Sequence, residues 1–194
     1  MKNSKFAALI LIVAVAFSSN AFAQKFKDLD KSPMDVSAFP SSYKESDKKV
    51  KVVYSRPQLN GRDVAKLAPN GEIWRTGANE AAEITFYYPA KIGNDVVKPG
   101  TYTLFTIPGN KGWTIILNSA SNVWGAYTYN EELNIVKLEA EATKGKESLE
   151  AFSIVFEGEK NEAVMYMGWG ETLVKLPITF MDKEKSKKLK GTKY

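Results

Sequence analysis

The sequence predicts an all-β protein, a single antiparallel β-sandwich of jelly-roll type with a short helical turn at most. About eight to ten short segments alternate apolar and polar residues, and turn-forming dipeptides separate them every 8–12 residues or so. No stretch carries the 3.6-residue apolar period of an amphipathic helix of useful length. A closed β-barrel fits the same pattern and remains the alternative.

The first 23 residues have the three parts of a secretory signal peptide. Lys2 and Lys5 supply the positive start, residues 6–17 form an unbroken apolar run, and residues 21–23 read Ala-Phe-Ala. The apolar run of 12 residues is shorter than the ~20 that a membrane-spanning helix needs. We expect cleavage near Ala23, a soluble product in the periplasm or outside the cell, and no transmembrane segment.

The rest of the chain divides into three parts. Residues 24–47 are a polar leader that contributes one short strand near residues 34–39. Residues 48–181 form the sandwich domain, and no linker or internal repeat divides them. Residues 182–194 are a Lys-rich tail, interpreted as a solvated terminus rather than an anchor to an anionic surface.

The strands follow in order after residue 48. Val50, Val52 and Tyr54 alternate with Lys49, Lys51 and Val53 and predict a half-buried strand, and residues 63–67 suit one helical turn. A short strand is expected between the turns at Gly93 and Gly100. Further predicted strands cover residues 84–88, 102–107, 113–117, 136–142, 152–156, 165–169 and 174–180.

Charge and composition remove several function classes. Two of the 27 Lys and Arg residues lie in the signal peptide and six in the tail, so the body is close to neutral. A neutral body gives no basic face for a nucleic acid. The chain has no Cys and no His, which excludes Ser-His-Asp and Cys-His nucleophiles and His-ligated zinc. No metal site and no cofactor are predicted.

One stretch, residues 71–80, concentrates the chemistry that remains. It reads Gly-Glu-Ile-Trp-Arg-Thr-Gly-Ala-Asn-Glu and places an aromatic ring, a cation, an amide and a carboxylate just ahead of a strand. Arg75 within it, and Arg56 and Arg62 before it, are all the arginine in the chain. Arginine is hard to replace where a planar fork must hold a carboxylate or phosphate.

Convergence of these arginines with nearby polar and aromatic residues would form a contact surface for a glycan or a small anionic ligand. The candidate ligand-binding residues are Arg56, Arg62, Arg75, Asn79, Glu80 and Trp124. The competing interpretation is structural: ion pairs such as Arg75 with Glu80 would fasten irregular loops to the sandwich. Trp113 and Trp169 lie in alternating strands and are expected in the core, and Asn118 is expected to cap a loop.

An enzyme is the less favoured alternative, as a carboxylate-dependent hydrolase or lyase acting on a saccharide. Glu80 is its one weak catalytic candidate. A glycosidase needs two carboxylates about 5–10 Å apart. Glu83 lies three positions from Glu80 on a presumed strand and would face the other side, whereas Glu171 could converge with Glu80. A purely structural envelope protein is the third alternative.

Several motifs in fixed order carry a family resemblance. They are Tyr-Ser-Arg-Pro at 54–57, Trp-Arg-Thr-Gly-Ala-Asn-Glu at 74–80, Pro-Gly-Thr-Tyr at 99–102, Leu-Phe-Thr-Ile-Pro-Gly at 104–109, and Trp-Gly-Ala-Tyr at 124–127. Over about residues 33–180 the chain resembles the secreted bacterial family catalogued as domain of unknown function 2911, found mostly in Bacteroidetes. The resemblance implies a secreted all-β domain and no established activity.

Overall fold

A computed structural model of the chain describes residues 25–182. The signal peptide predicted at residues 1–23 and all but the first residue of the predicted tail lie outside the described residues. Residues 25–30 belong to a separate unit and contain no strand or helix. The strands are β1 (Met34–Phe39), β2 (Val50–Ser55), β3 (Ala82–Phe86), β4 (Ala90–Ile92), β5 (Asp95–Val97), β6 (Gly100–Ile107), β7 (Gly112–Asn118), β8 (Asn134–Glu159) and β9 (Glu162–Phe180). One α-helical turn, α1 (Val64–Leu67), and one 3-10 turn (Glu131–Leu133) are the helical elements of the described chain.

All nine strands belong to one antiparallel sheet in the order β1-β2-β3-β6-β7-β8-β9-β4-β5. The strand from the leader, β1, pairs with β2 along its whole length, from Met34 opposite Ser55 to Phe39 opposite Val50. The prediction of an all-β, antiparallel single domain with one helical turn is therefore confirmed. The turn at residues 64–67 is where the sequence predicts it.

Two strands are much longer than the alternation predicts. Residues 136–142 and 152–156 were expected in separate strands and both belong to β8, while 165–169 and 174–180 both belong to β9. Their pairing shifts register twice between Lys144 and Ser153, and Gly170 adopts a positive φ of 55°. These irregularities bend the strands without ending them, so residues that resemble loops in the sequence continue the sheet.

The sheet folds back on itself and encloses the main hydrophobic core. Phe39, in the first strand of the order, stacks on Phe180 of β9, the seventh strand of the order, with ring centroids 5.7 Å apart. Likewise the backbone N–H of Ile154 in β8 donates to the Tyr54 hydroxyl of β2 at 2.8 Å. Such contacts between strands that are not neighbours require two facing layers. The core draws its side chains from every strand of the sheet.

Trp74 stands at the centre of an aromatic cluster in this core. Its ring centroid lies 5.3 Å from Trp169, 5.0 Å from Phe152 and 5.8 Å from Trp113. All four rings are at least 95% buried. The expectation that Trp113 and Trp169 are core residues is confirmed, and Trp74 joins them.

A second, smaller apolar cluster covers the opposite face of β6 and β7. Phe105 and Ile116 alternate with main-core residues along these strands, so they point to the other side of the sheet. Val123 and Tyr129, from the loop at residues 119–130, pack over them. The loop is thereby held against the outer face of the sheet. Among residues 25–182, no helix has the length and apolar character needed to cross a membrane.

Candidate functional site

The stretch singled out in the sequence is an irregular segment fastened to β6. Trp74 pairs with Thr106, and their backbone N–H groups donate to each other's carbonyls at 2.7 and 3.0 Å. The N–H of Ala82 then donates to the Arg75 carbonyl at 3.0 Å. This bond closes a loop, residues 75–82, which we call the 75–82 loop.

Buried polar and small residues fix the shape of the 75–82 loop. Thr76 is fully buried with a positive φ of 53°, and its hydroxyl lies 3.2 Å from that of Thr106. A Cβ on Gly77 would lie 3.0 Å from the Ser55 carbonyl oxygen. A side chain at this position would have to push the loop and the end of β2 apart by a few tenths of an ångström.

A second segment, residues 122–125, runs antiparallel beside the 75–82 loop. The N–H of Ala81 donates to the Val123 carbonyl at 2.8 Å, and the N–H of Gly125 donates to the Asn79 carbonyl at 3.0 Å. Between these bonds, Glu80 and Trp124 form an antiparallel bridge pair. Residues directly opposite each other in such a pair project to the same side, with Cβ atoms about 5 Å apart.

Glu80 and Trp124 are both on the surface. Trp124 retains 60% of its accessible area, although the other three tryptophans are buried. Tyr127 is 84% exposed, and its ring lies so close to Gly125 that a Cβ there would meet it at 2.6 Å. A carboxylate and two exposed aromatic rings are thus grouped on the 122–127 side of the molecule.

A cleft of about 270 Å³ opens next to this pair, and we call it the Glu80 cleft. Apolar residues provide part of its lining, and polar residues that include two glutamates and an asparagine provide the rest. The lining residues are Met34, Val53, Tyr54, Ser55, Glu80, Ala81, Glu83, Asn122 and Val123.

Both Glu80 and Glu83 line this one cleft, which corrects the expectation that they face opposite sides. That expectation assumed that both residues lie on a strand, but β3 begins at Ala82. Glu80 belongs to the irregular loop, so the alternation rule does not reach it. The Glu83 carboxylate accepts a hydrogen bond from the backbone N–H of Asn122 at 2.9 Å, which ties the second segment to β3.

Tyr54 is among the lining residues, but its side chain is buried in the main core. Burial raises the pKa of its phenol above the usual value near 10, and the nearby Asp35 acts in the same direction, whereas Arg56 and the bond to Ile154 oppose the rise. Its hydroxyl accepts from the Ile154 N–H at 2.8 Å. Tyr54 therefore stays protonated in any physiological buffer.

The structure gives Arg56 and Arg62 partners within the fold. Arg56 donates to the Phe152 carbonyl at 3.1 Å and the Ser153 hydroxyl at 2.7 Å, and forms an ion pair with Asp35 at 3.1 Å. The Arg62 guanidinium donates to carbonyls of its own turn, those of Leu59 at 2.7 Å and Gln58 at 2.9 Å. The two guanidinium groups share no partner, and neither lines the Glu80 cleft.

Arg75 differs from the other two arginines. Its Nε atom is buried and has no hydrogen-bond partner among residues 25–182. Within the same residues no ion pair joins Arg75 to Glu80. The structure thus brings Asn79, Glu80 and Trp124 together and leaves each arginine in its own environment.

Glu171, the other carboxylate that sequence reasoning paired with Glu80, lies elsewhere. It lines a separate polar cleft of about 380 Å³ together with Lys144, Asn70, Asn110 and Trp113. Its carboxylate is 3.2 Å from the Lys144 ammonium. Glu80 does not line that cleft.

Sequence reasoning did not single out Asn122, whereas the expectation that Asn118 caps a loop is confirmed. Asn118 is fully buried; its amide donates to the Asn130 carbonyl and the Asn134 side chain, both at 2.9 Å, and its oxygen accepts from the Ala120 N–H at 3.0 Å. It therefore caps both ends of the loop that carries Trp124. The signal that pointed to this role was an asparagine at a strand end.

One family model, described as "Protein of unknown function (DUF2911)", matches residues 37–178 of the 194-residue chain. The match includes the 75–82 loop, the 122–125 segment and every lining residue of the Glu80 cleft except Met34. Comparison with curated proteins and with solved structures gives no match.

Proposed function

We propose that this chain, which belongs to the DUF2911 family of proteins of unknown function, binds a saccharide at the Glu80 cleft and on the Trp124 ring. The supporting observation is the bridge pair of Glu80 and Trp124, which holds a carboxylate and an exposed indole side by side. We also propose that the protein is exported by its N-terminal signal and meets this saccharide in the periplasm or outside the cell.

The two groups complement the two surfaces of a sugar ring. Sugar hydroxyls donate to carboxylates, and such charge-assisted hydrogen bonds are stronger than neutral ones. The C–H face of the ring is apolar and packs on an indole, which offers a large rigid surface. Asn122 adds a neutral hydrogen-bonding group next to the apolar Val53 and Val123. A mostly apolar cleft with a few convergent polar groups is typical of small-molecule sites.

Tryptophan fluorescence offers a direct test of this proposal. Trp124 is 60% exposed while Trp74, Trp113 and Trp169 are at most 5% exposed, so a stacked sugar should change the emission of Trp124 alone. We expect a saturable shift with an oligosaccharide from a panel of envelope and extracellular glycans. The variant Trp124→Phe should lose the signal, and Glu80→Ala should weaken binding about tenfold. A panel that leaves emission and melting temperature unchanged would favour a purely structural protein.

A hydrolase is the second candidate, because Glu80 and Glu83 line the same cleft. Two carboxylates on one cleft are the minimum that glycoside hydrolysis requires. The test is incubation of the bound oligosaccharide with the protein, followed by analysis for shorter products. If the native protein cleaves the oligosaccharide and Glu83→Gln binds it without cleaving it, the protein is a hydrolase and Glu83 takes part in catalysis. If the oligosaccharide is still intact after prolonged incubation, the protein binds it without hydrolysing it.

A small anionic ligand is favoured by a different observation, the buried Nε of Arg75 that has no partner among residues 25–182. A guanidinium without a hydrogen-bond partner is stabilised by a carboxylate or phosphate to which it donates two hydrogen bonds. The test is a melting-temperature screen with carboxylates and phosphate. A rise in melting temperature that is lost in Arg75→Lys and kept in Arg62→Lys would support an anion site. An unchanged melting temperature would exclude such a site for the anions tested.

A further inference from the structure

We infer that the saccharide bound at the Glu80 cleft carries a positive charge, as an amino sugar with a free ammonium group does. This inference rests on the proposed function and names the class of ligand for the same site. It follows from the charges of the cleft, the partners of its carboxylates and the ring beside them.

The lining of the cleft contains two carboxylates and no cationic side chain. Neither Glu80 nor Glu83 takes part in an ion pair among residues 25–182. Glu83 accepts a bond from the Asn122 N–H, and no bond is found for the Glu80 carboxylate within the same residues. Two negative charges that line one cleft attract a cationic ligand and disfavour an anionic one.

The composition of the lining favours an organic cation. Met34, Val53, Ala81 and Val123 present apolar surface between the polar groups, which suits a ring with C–H faces. Trp124 projects to the same side as Glu80, and an indole face attracts an ammonium group through its quadrupole. Within the described residues, no three carboxylates are grouped so as to hold a metal ion.

The cleft also differs in this respect from an anion site. All three arginines lie outside its lining, and the nearest in sequence, Arg56, is engaged with Phe152, Ser153 and Asp35. An acidic saccharide would bring its carboxylate against Glu80 and Glu83. A neutral N-acetylated sugar would satisfy the hydrogen bonds but leave both negative charges without a counter-charge.

The decisive experiment compares two sugars that differ in charge. The probes are the β-1,4-linked glucosamine tetramer and its fully N-acetylated form, titrated at about pH 6 while Trp124 emission is recorded. We expect the free-amine tetramer to bind about tenfold more tightly. Glu80→Gln and Glu83→Gln should each remove most of that difference, since glutamine retains the shape and an acceptor oxygen but loses the charge. The matched control is Glu147→Gln, an exposed glutamate outside the cleft.

Each outcome decides the inference. Equal affinity for the two tetramers would overturn the cationic ligand and leave saccharide binding in place. No binding of either would count against both proposals. If Glu147→Gln weakens the free-amine tetramer as much as Glu80→Gln does, the attraction is a general property of the surface, and the inference is wrong. Should Glu83→Gln fail to fold, Glu80→Gln alone decides, because Glu80 is exposed.

Discussion

Trp74 and Trp169 stack face to face in the core, with ring centroids 5.3 Å apart and ring planes 14° apart. Trp74 comes from the stretch that the sequence marks as the site, and Trp169 from the bent part of β9. The Trp74 ring is thus an anchor. It holds the 75–82 loop to the core and leaves Trp124 as the exposed indole of the described chain.

Replacing Trp74 should cost stability, whereas replacing Trp124 should not. Loss of a buried tryptophan removes its contacts with three rings and leaves a cavity, so Trp74→Ala should lower the free energy of unfolding by about 3–5 kcal/mol. Trp124→Ala removes an exposed side chain and should stay within about 0.5 kcal/mol of the native protein. Urea denaturation measures both values. Similar values for the two variants would contradict the anchoring role of Trp74.

Arg56 should stabilise the fold through its bonds to neutral groups rather than through its ion pair. Arg56→Ala removes the donors to the Phe152 carbonyl and the Ser153 hydroxyl, and should cost about 1–3 kcal/mol. Its ion pair with Asp35 is 36–41% exposed and contributes little. Asp35→Asn, which removes the charge alone, should therefore cost less than about 1 kcal/mol. Thermal denaturation of the two variants measures both losses of stability. If Asp35→Asn loses more stability than Arg56→Ala, the ion pair and not the bonds to neutral groups is the main contribution of Arg56.

Asn118 should control the order of the loop that carries Trp124. Asn118→Ala removes the three hydrogen bonds of a buried side chain and should cost about 2–4 kcal/mol. Hydrogen exchange should quicken most at the Ala120 amide, which loses its acceptor. Asn134→Ala, which removes one partner of the amide, should cost less. Unchanged exchange at Ala120 in Asn118→Ala would show that the loop does not depend on this cap.

Stability should fall in strong alkali because of Tyr54. Burial raises the pKa of its phenol in the folded protein above the ordinary value near 10. The unfolded chain then loses the proton at lower pH than the folded one, so the contribution of Tyr54 is complete below about pH 10 and is lost as the pH rises through the folded pKa. Urea titrations between about pH 8 and 11.5 should show this fall.

The matched comparison for Tyr54 is Tyr54→Phe. This variant gives up the bond from the Ile154 N–H, so it should be less stable at neutral pH and show a shallower alkaline fall. Tyr102 also has a pKa raised by burial, so some of the fall should persist. An alkaline slope that is identical in Tyr54→Phe and the native protein would show that Tyr54 does not cause it.

The fold was predictable where alternation and turn chemistry agree. Val50, Val52 and Tyr54 alternate with less buried positions, and all three are core residues of β2. The length of β8 and β9 was not predictable, because glycine in a bent strand and glycine in a loop look alike in the sequence. Gly170 ends a strand in the prediction, and in the structure it bends β9 at φ 55°.

The site was predictable only in part, because its central contact joins residues far apart in the chain. Glu80 and Trp124 were both candidates, but their pairing depends on a loop held by Asn118 and packed over Phe105, and no local pattern encodes that arrangement. The expectation about Glu83 failed because it assumed that Glu80 lies on the same strand, whereas β3 begins at Ala82. The arginines were singled out for their rarity, which gives no information on their neighbours.

The two long strands also have a consequence for how the molecule unfolds. Because β8 pairs with β7 at one end and with β9 at the other, and β9 continues to β4, both layers share the same backbone. Neither layer can melt while the other keeps its ladder of hydrogen bonds. Unfolding should be all-or-none, with equal calorimetric and van't Hoff enthalpies. The layers then unfold as one cooperative unit. The strand residues that line the Glu80 cleft should therefore unfold only at the temperature at which the whole sheet unfolds.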